Sequence, residues 1–224
     1  MTAPTHPAQR PPALWLRLAE RGLARVARAT LEERFGDDGA RRLVEGAVRA
    51  ARATGAQPRT ERGVSGRLMV HAAALTASLY HQLRLEGFDP DGARRETARV
   101  TWAVYRRMAR VPWLWARLAA RSPEGRLRRA IGAFRRFPFG PPAYRMRDLP
   151  IAPGTVAFDV ERCPVAEHLR GQGLGELCVE AWCNLDYPLA ERWSARLERT
   201  STIAGGGDRC DFRWHARADR PPGG

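Results

Sequence analysis

Four cysteines, Cys163, Cys178, Cys183 and Cys210, stand in the last third of the sequence among carboxylates and arginines. A thiolate is a strong nucleophile, and a nearby carboxylate can act as a general base or orient a basic substrate. Cys163 has the local setting most favourable to ionisation. It lies where a strand pattern turns into a helix, with Arg162 before it and Pro164 at the expected first helical position. Free backbone N–H groups and the positive end of the helix dipole stabilise an anion there. Cys183 is the second candidate. On a helix, Glu176, Glu180 and Cys183 share one face by three- and four-residue steps, with Asp186 three further on. These carboxylates and the helix C-terminus raise the thiol pKa, so Cys183 is expected to be the poorer thiolate. The bland alternatives are a buried helix-capping thiol at 163 and an incidental cysteine on an acidic face at 183. Cys178 shares the face of Leu174, Leu177, Ala181 and Trp182 and is expected in the core. Cys210, beside Phe212 and Trp214 on one strand face, belongs either to the core or to a pocket wall.

Metal chemistry competes with these readings. Cys163, Cys183 and Cys210 could converge with His168 to supply thiolate and imidazole ligands. The spacings contain no CxxC or HExxH pair, so neither a metal nor another cofactor is expected. His71 and His81 lie ten apart on an apolar stretch and read as satisfied core histidines. The GGGD run after a strand pattern opens another strand, so it reads as a hairpin turn and not as a phosphate cradle.

The elements that must position these groups change character along the chain. Residues 1–13 and 218–224 read as tails, and 14–136 as helical. Apolar residues recur at helical spacing from Leu14 to about Phe35, and Asp37 and Asp38 can cap a second helix bearing Leu43, Val44 and Ala47. Gly55 to Gly66 reads as a loop. The nearly uncharged stretch Leu68–Leu85 predicts a central helix surrounded by others. Asp89-Pro90 starts the next, which runs to about Arg110 before Pro112 interrupts it, and Ser122-Pro123 opens another through Phe134. Residues 137–154 are Pro-rich and read as a linker without a regular helix or central strand.

Beyond the linker, in residues 155–217, the period becomes two. Val156, Phe158 and Val160 alternate with polar or small residues, predicting a half-buried strand. A helix broken at Gly171 to Gly175 follows Cys163-Pro164. Two strands, Ser194 to Ile203 and Arg209 to Arg217, close the pattern. The expected fold class is α+β: a helical N-terminal region packed on a small C-terminal antiparallel sheet with an α-helical crossover.

Composition sets outer limits. The 224 residues suit one domain or two parts sharing a core, and 44% hydrophobic with 28% charged residues is ordinary for a folded chain. No apolar run reaches membrane-spanning length, so no membrane partner is expected. The N-terminal stretch has no signal-peptide h-region, and a cytoplasmic location with reduced thiols is expected. The formal charge of +14 comes entirely from Arg and is lopsided. Residues 1–150 hold 29 Arg against 13 acidic residues, whereas 151–224 hold 9 against 11. No zinc-finger, basic-zipper or RNA-recognition pattern accompanies the excess, so it reads as a solvated face rather than a nucleic-acid groove. A small-molecule partner is expected, and a homo-oligomer is left open.

The string VERCPVAEHLRGQGLGELC, then AWCNLD, then LERTSTIAGGGDRCDFRW, resembles the C-terminal signature of the L-2-amino-thiazoline-4-carboxylic acid hydrolase family. The segment AALTASLYHQLRLEGFDPDGAR is similar to that family's helical region, so the resemblance spans about residues 14–216. It implies hydrolysis of a small cyclic C=N compound, water adding to the amidine carbon of a thiazoline ring that opens to an N-carbamoyl cysteine. Cys163, Cys183, Asp186, Arg199, Thr200, Asp208, Cys210 and Phe212 match the family pattern. On this resemblance Cys163 or Cys183 would attack carbon 2, or a carboxylate would activate water. Asp186 would pair with the amidinium, and Arg199 would clamp the substrate carboxylate bidentately. Thr200, Asp208, Cys210 and Phe212 would complete the binding site. The C-terminal part is also similar to small-ligand-binding domains related to 4-vinyl reductases, which implies a non-catalytic sensor as the alternative.

Overall fold

The computed structural model describes residues 14–53, 61, 63–150 and 152–217. The tails expected at 1–13 and 218–224 lie outside the described residues, as do residues 54–60 and 62 of the expected loop. The fold is α+β, as the change of period predicts. No described helix is long and apolar enough to cross a membrane.

Helix α1 (Leu14–Ala53) is two helical runs meeting at Gly36, whose φ of 67° lies in the left-handed region that glycine adopts without a Cβ penalty. Its second half buries Leu43, Val44 and Ala47. Helix α2 (Gly63–Leu85) starts five residues before the expected point and is buried on most sides, through Met69, Ala73, Leu79 and Leu83 among others. Small alanines along it let neighbouring helices approach closely. Helix α3 (Pro90–Met108) is capped by Asp89, whose carboxylate accepts the Gly92 N–H at 2.8 Å, with Pro90 in the first turn.

Pro112 does not end that helix. The seam falls at Ala109, and Pro112 sits in the first turn of α4 (Arg110–Ala119), where its missing N–H has no helical partner to lose. Ser122 caps α5 (Pro123–Arg136) by accepting the Gly125 N–H at 3.1 Å.

The Pro-rich segment carries a strand, β1 (Arg145–Asp148), which the composition hid. It pairs with β2 (Thr155–Arg162) at the sheet edge, the place where neighbouring prolines are tolerated. The crossover from β2 runs through α6 (Pro164–Arg170), α7 (Gly175–Ala181), a 3-10 turn at Cys183–Leu185 and α8 (Asp186–Arg192). Strand β3 (Ala195–Glu198) is shorter than expected, and β4 (Cys210–Ala216) returns beside it. The order is β1-β2-β4-β3, antiparallel throughout.

Register fixes the two faces. Val156 opposes Trp214, Phe158 opposes Phe212, and Val160 opposes Cys210. These six face the helices and join Tyr105 of α3, Phe134 of α5 and Leu189 of α8 in one apolar cluster. On the opposite face, Asp159 is 2% exposed and meets guanidinium groups of Arg147, Arg209 and Arg213. Burying one such aromatic side chain contributes about 2–3 kcal/mol relative to exposure, so the inner face anchors the sheet to the helices.

Candidate functional site

The inner face of the sheet does not meet the helices everywhere. Between β2, β4, α5 and the crossover lies a cavity of about 120 Å³. Its size is close to that of the benzene-sized hollows of ~150 Å³ known in protein cores. Aromatic rings make a large part of its wall, among them Phe134, Phe139, Phe158, Trp193 and Phe212. Polar chemistry is confined to a few groups.

The principal one is a buried ion pair. Asp186 opens α8 and points into the cavity, where Oδ2 lies 2.9 Å from Arg199 Nη1 and Oδ1 accepts the Tyr105 hydroxyl at 2.7 Å. Burial pushes the Asp186 carboxyl above its ordinary range, while Arg199 and the Tyr105 hydrogen bond pull it back. Burial and the adjoining carboxylate hold the Tyr105 hydroxyl protonated. Arg199 Nη1 also donates to the Cys183 carbonyl at 3.0 Å, and its guanidinium lies over the rings of Tyr187 and Phe212.

All four cysteines are free and line the same cavity. Their relative acidities reverse the expectation from the sequence. Cys163 does occupy the N-cap of α6, where the nearby N–H groups of Ala166 and Val165 favour its thiolate, but its sulfur makes no capping hydrogen bond. Partial burial among apolar neighbours nevertheless dominates and pushes that thiol up. Burial likewise raises Cys210 to about 11, although Ile203 N–H donates to its sulfur at 3.3 Å. Cys183 moves the other way. Cys178 hydrogen-bonds to it, which lowers its pKa, and Arg199 adds to this against burial and the Asp186 charge. Cys178 is correspondingly raised, by that hydrogen bond first and by burial second.

The cavity thus gathers Cys163, Cys183, Asp186, Arg199, Cys210 and Phe212. Thr200 and Asp208 are not brought to it. Thr200 lies in a surface groove, donating its hydroxyl to Asp211 at 2.7 Å, and Asp208 is exposed in the turn. Glu176 and Glu180 also turn away, both pairing with Arg94, because α7 ends at Ala181 and Cys183 belongs to the following 3-10 turn. His168 makes its contact with Gln172 at 2.8 Å instead of joining the cysteines. Among the described residues no group of three or more His, Cys, Asp or Glu side chains is placed to hold a metal. His71 is buried and hydrogen-bonded to Glu20 at 3.0 Å, a satisfied core histidine, whereas His81 is exposed, against the expectation.

Sequence reasoning missed Tyr105, Tyr144 and Trp182. The signal for Tyr105 was available: a buried aspartate needs a donor, and a phenol on an apolar helix face is one of few candidates. Tyr144 was hidden in the Pro-rich segment.

Fold and cavity together define an α+β protein with a ring-sized apolar site that holds four thiols and a buried ion pair. The family described as L-2-amino-thiazoline-4-carboxylic acid hydrolase matches residues 67–214. The chain belongs to that family. No curated protein matches the sequence. Among solved structures, the Fe(II) unliganded H-NOX protein from K. algicida is similar, at 10% identity over 90% of this chain and 97% of that one. Its TM-score of 0.42 is too low to carry an argument about fold or ligand.

Proposed function

We propose that the protein hydrolyses a small cyclic amidine of the thiazoline type, L-2-amino-thiazoline-4-carboxylic acid-like, with Cys183 as nucleophile. One arrangement carries the reading: Cys183, whose thiolate Cys178 and Arg199 favour, lines the same ring-sized cavity as the Asp186–Arg199 pair.

The thiolate adds to carbon 2 of the ring, and the C–N π electrons move onto the ring nitrogen. Collapse breaks the bond from carbon 2 to the ring sulfur, which leaves as a thiolate and takes a proton. The enzyme then carries an S-linked isothiourea. Water adds to that carbon with Asp186 as proton acceptor, a role its raised pKa favours over that of an ordinary carboxylate. Cys183 departs, and the product is the ring-opened urea, an N-carbamoyl aminothiol. Tyr105 holds Asp186 in position throughout.

The test is incubation of the purified protein with a panel of 2-aminothiazolines and cyclic amidines, following release of a free thiol and the gain of one water by mass. Turnover that disappears in Cys183→Ala supports the reading, and turnover unchanged in that variant removes it. The second reading, a non-catalytic small-molecule sensor, draws on the aromatic walls of the cavity. It predicts saturable binding of a ring compound that is recovered intact.

A further inference from the structure

Among the described residues, three buried side-chain polar atoms have no hydrogen-bond partner: Tyr144 hydroxyl, Trp182 Nε1 and Trp214 Nε1. All three residues line the one cavity. Tyr144 and Trp214 are 6% and 3% exposed, so bulk water does not satisfy them. Buried donors without acceptors are costly and rare, and a cluster of them at a cavity marks what the cavity lacks. Each is a neutral donor. Burial holds the Tyr144 hydroxyl protonated, and an indole N–H only donates.

The donors stand on different walls. Tyr144 and Trp182 pack with Val165, Leu177 and Cys178, whereas Trp214 packs with Tyr105, Phe134 and Trp193. The three donors thus belong to two apolar clusters and do not form one anion-binding group. The cations of the wall are engaged elsewhere. Arg199 holds Asp186 and the Cys183 carbonyl, and Arg135 donates to Asp148 at 2.5 Å while lying over the Phe158 ring. A carboxylate placed here would be buried without a free counter-charge, which costs far more than burying a neutral acceptor.

Resting on the reading of this cavity as the ligand site, we propose that its ligand is a small neutral heterocycle without a carboxylate, held by hydrogen bonds from Tyr144 and Trp214 to its ring heteroatoms. The chain would then differ in substrate from the compound for which its family is described. Arg199 is a positioning residue for Asp186 and not an anchor for substrate.

The experiment compares 2-amino-2-thiazoline with its 4-carboxylate. Affinity is measured by calorimetry on full-length Cys183→Ala, and turnover on the unmodified chain. The carboxylate-free ring should bind at least about tenfold more tightly, and adding Tyr144→Phe or Trp214→Phe should each weaken it about five- to tenfold, the effect of one lost hydrogen bond. Tighter binding of the carboxylated compound overturns this inference while leaving hydrolysis standing if that compound is turned over. Absence of turnover with the expected affinity order overturns hydrolysis and leaves the ligand class standing. If neither compound binds, both fall. Affinities unchanged by the Tyr144 and Trp214 substitutions also overturn the inference, whichever compound binds better.

Discussion

Arg199 holds Asp186 and the backbone of Cys183 through the same nitrogen, Nη1, at 2.9 Å and 3.0 Å. The guanidinium is 3% exposed and the carboxylate side chain 13%. One contact thereby sets the position of both chemical groups in the cavity, and it explains why the residue suited to clamp a substrate carboxylate is engaged already.

Removing one member of this pair should destabilise the protein far more than removing both. Asp186→Asn leaves Arg199 as an uncompensated buried cation, with an expected loss of about 3–5 kcal/mol. The double variant Asp186→Leu/Arg199→Met should lose clearly less, because no charge remains buried. Urea unfolding of the wild type, Asp186→Leu, Arg199→Met and the double variant checks this. A double variant at the sum of its singles would show that the pair is not coupled.

The acidity of Cys183 gives a pH prediction. Its folded-state pKa is depressed, so its thiolate persists below the ordinary thiol value of about 8.5. The linked stabilisation is present above the unfolded pKa and lost as pH falls through the folded one. Alkylation by iodoacetamide, followed by peptide mass spectrometry, should show Cys183 modified with a midpoint under that value. Cys163 and Cys210 should stay unmodified until the chain unfolds. A first modification at Cys163 would reverse the ranking.

Gly140 bears on Tyr144. A Cβ there would stand 2.2 Å from the Arg136 carbonyl oxygen, and its own carbonyl accepts the Tyr144 N–H at 3.3 Å. Gly140→Ala must displace the segment leading to Tyr144, with an expected cost of about 1–3 kcal/mol. Loss of ring binding should accompany the fall in urea midpoint. An unaffected variant would mean that the segment moves freely.

Periodicity made most of the fold legible. Caps such as Asp89 and Ser122 and the alternation of Cys210, Phe212 and Trp214 are local signals, and each element they mark is present. Strand β1 was not legible, because an edge strand among prolines carries no alternation of its own. The convergence of Cys163, Cys183, Asp186 and Arg199 followed from motif resemblance, but the ranking of the thiols did not. Local sequence showed the helix start at Cys163 and concealed both its burial and the Cys178 contact of Cys183, which depend on tertiary packing. The acidic face drawn through Glu176, Glu180 and Cys183 failed for a similar reason: the helix stops at Ala181, two residues before the cysteine.

Outside the cavity lining, His71 couples stability to acid. Its ring nitrogen meets Glu20 at 3.0 Å in a buried setting, and Glu20 also pairs with Arg52. Burial lowers the His71 pKa, more than Glu20 raises it. The unfolded chain therefore binds a proton more readily than the folded one. The neutral imidazole's contribution is complete above the unfolded value of about 6.5 and is lost as pH falls from there through the folded value. Urea midpoints measured between pH 8 and pH 5, over the range of about 1.5 units to either side of that value, should decline toward acid. His71→Gln keeps a hydrogen-bonding side chain but cannot titrate, so it should flatten the decline in that window even if its stability at pH 8 is lower. An equally steep decline in His71→Gln would assign the acid sensitivity to groups other than His71.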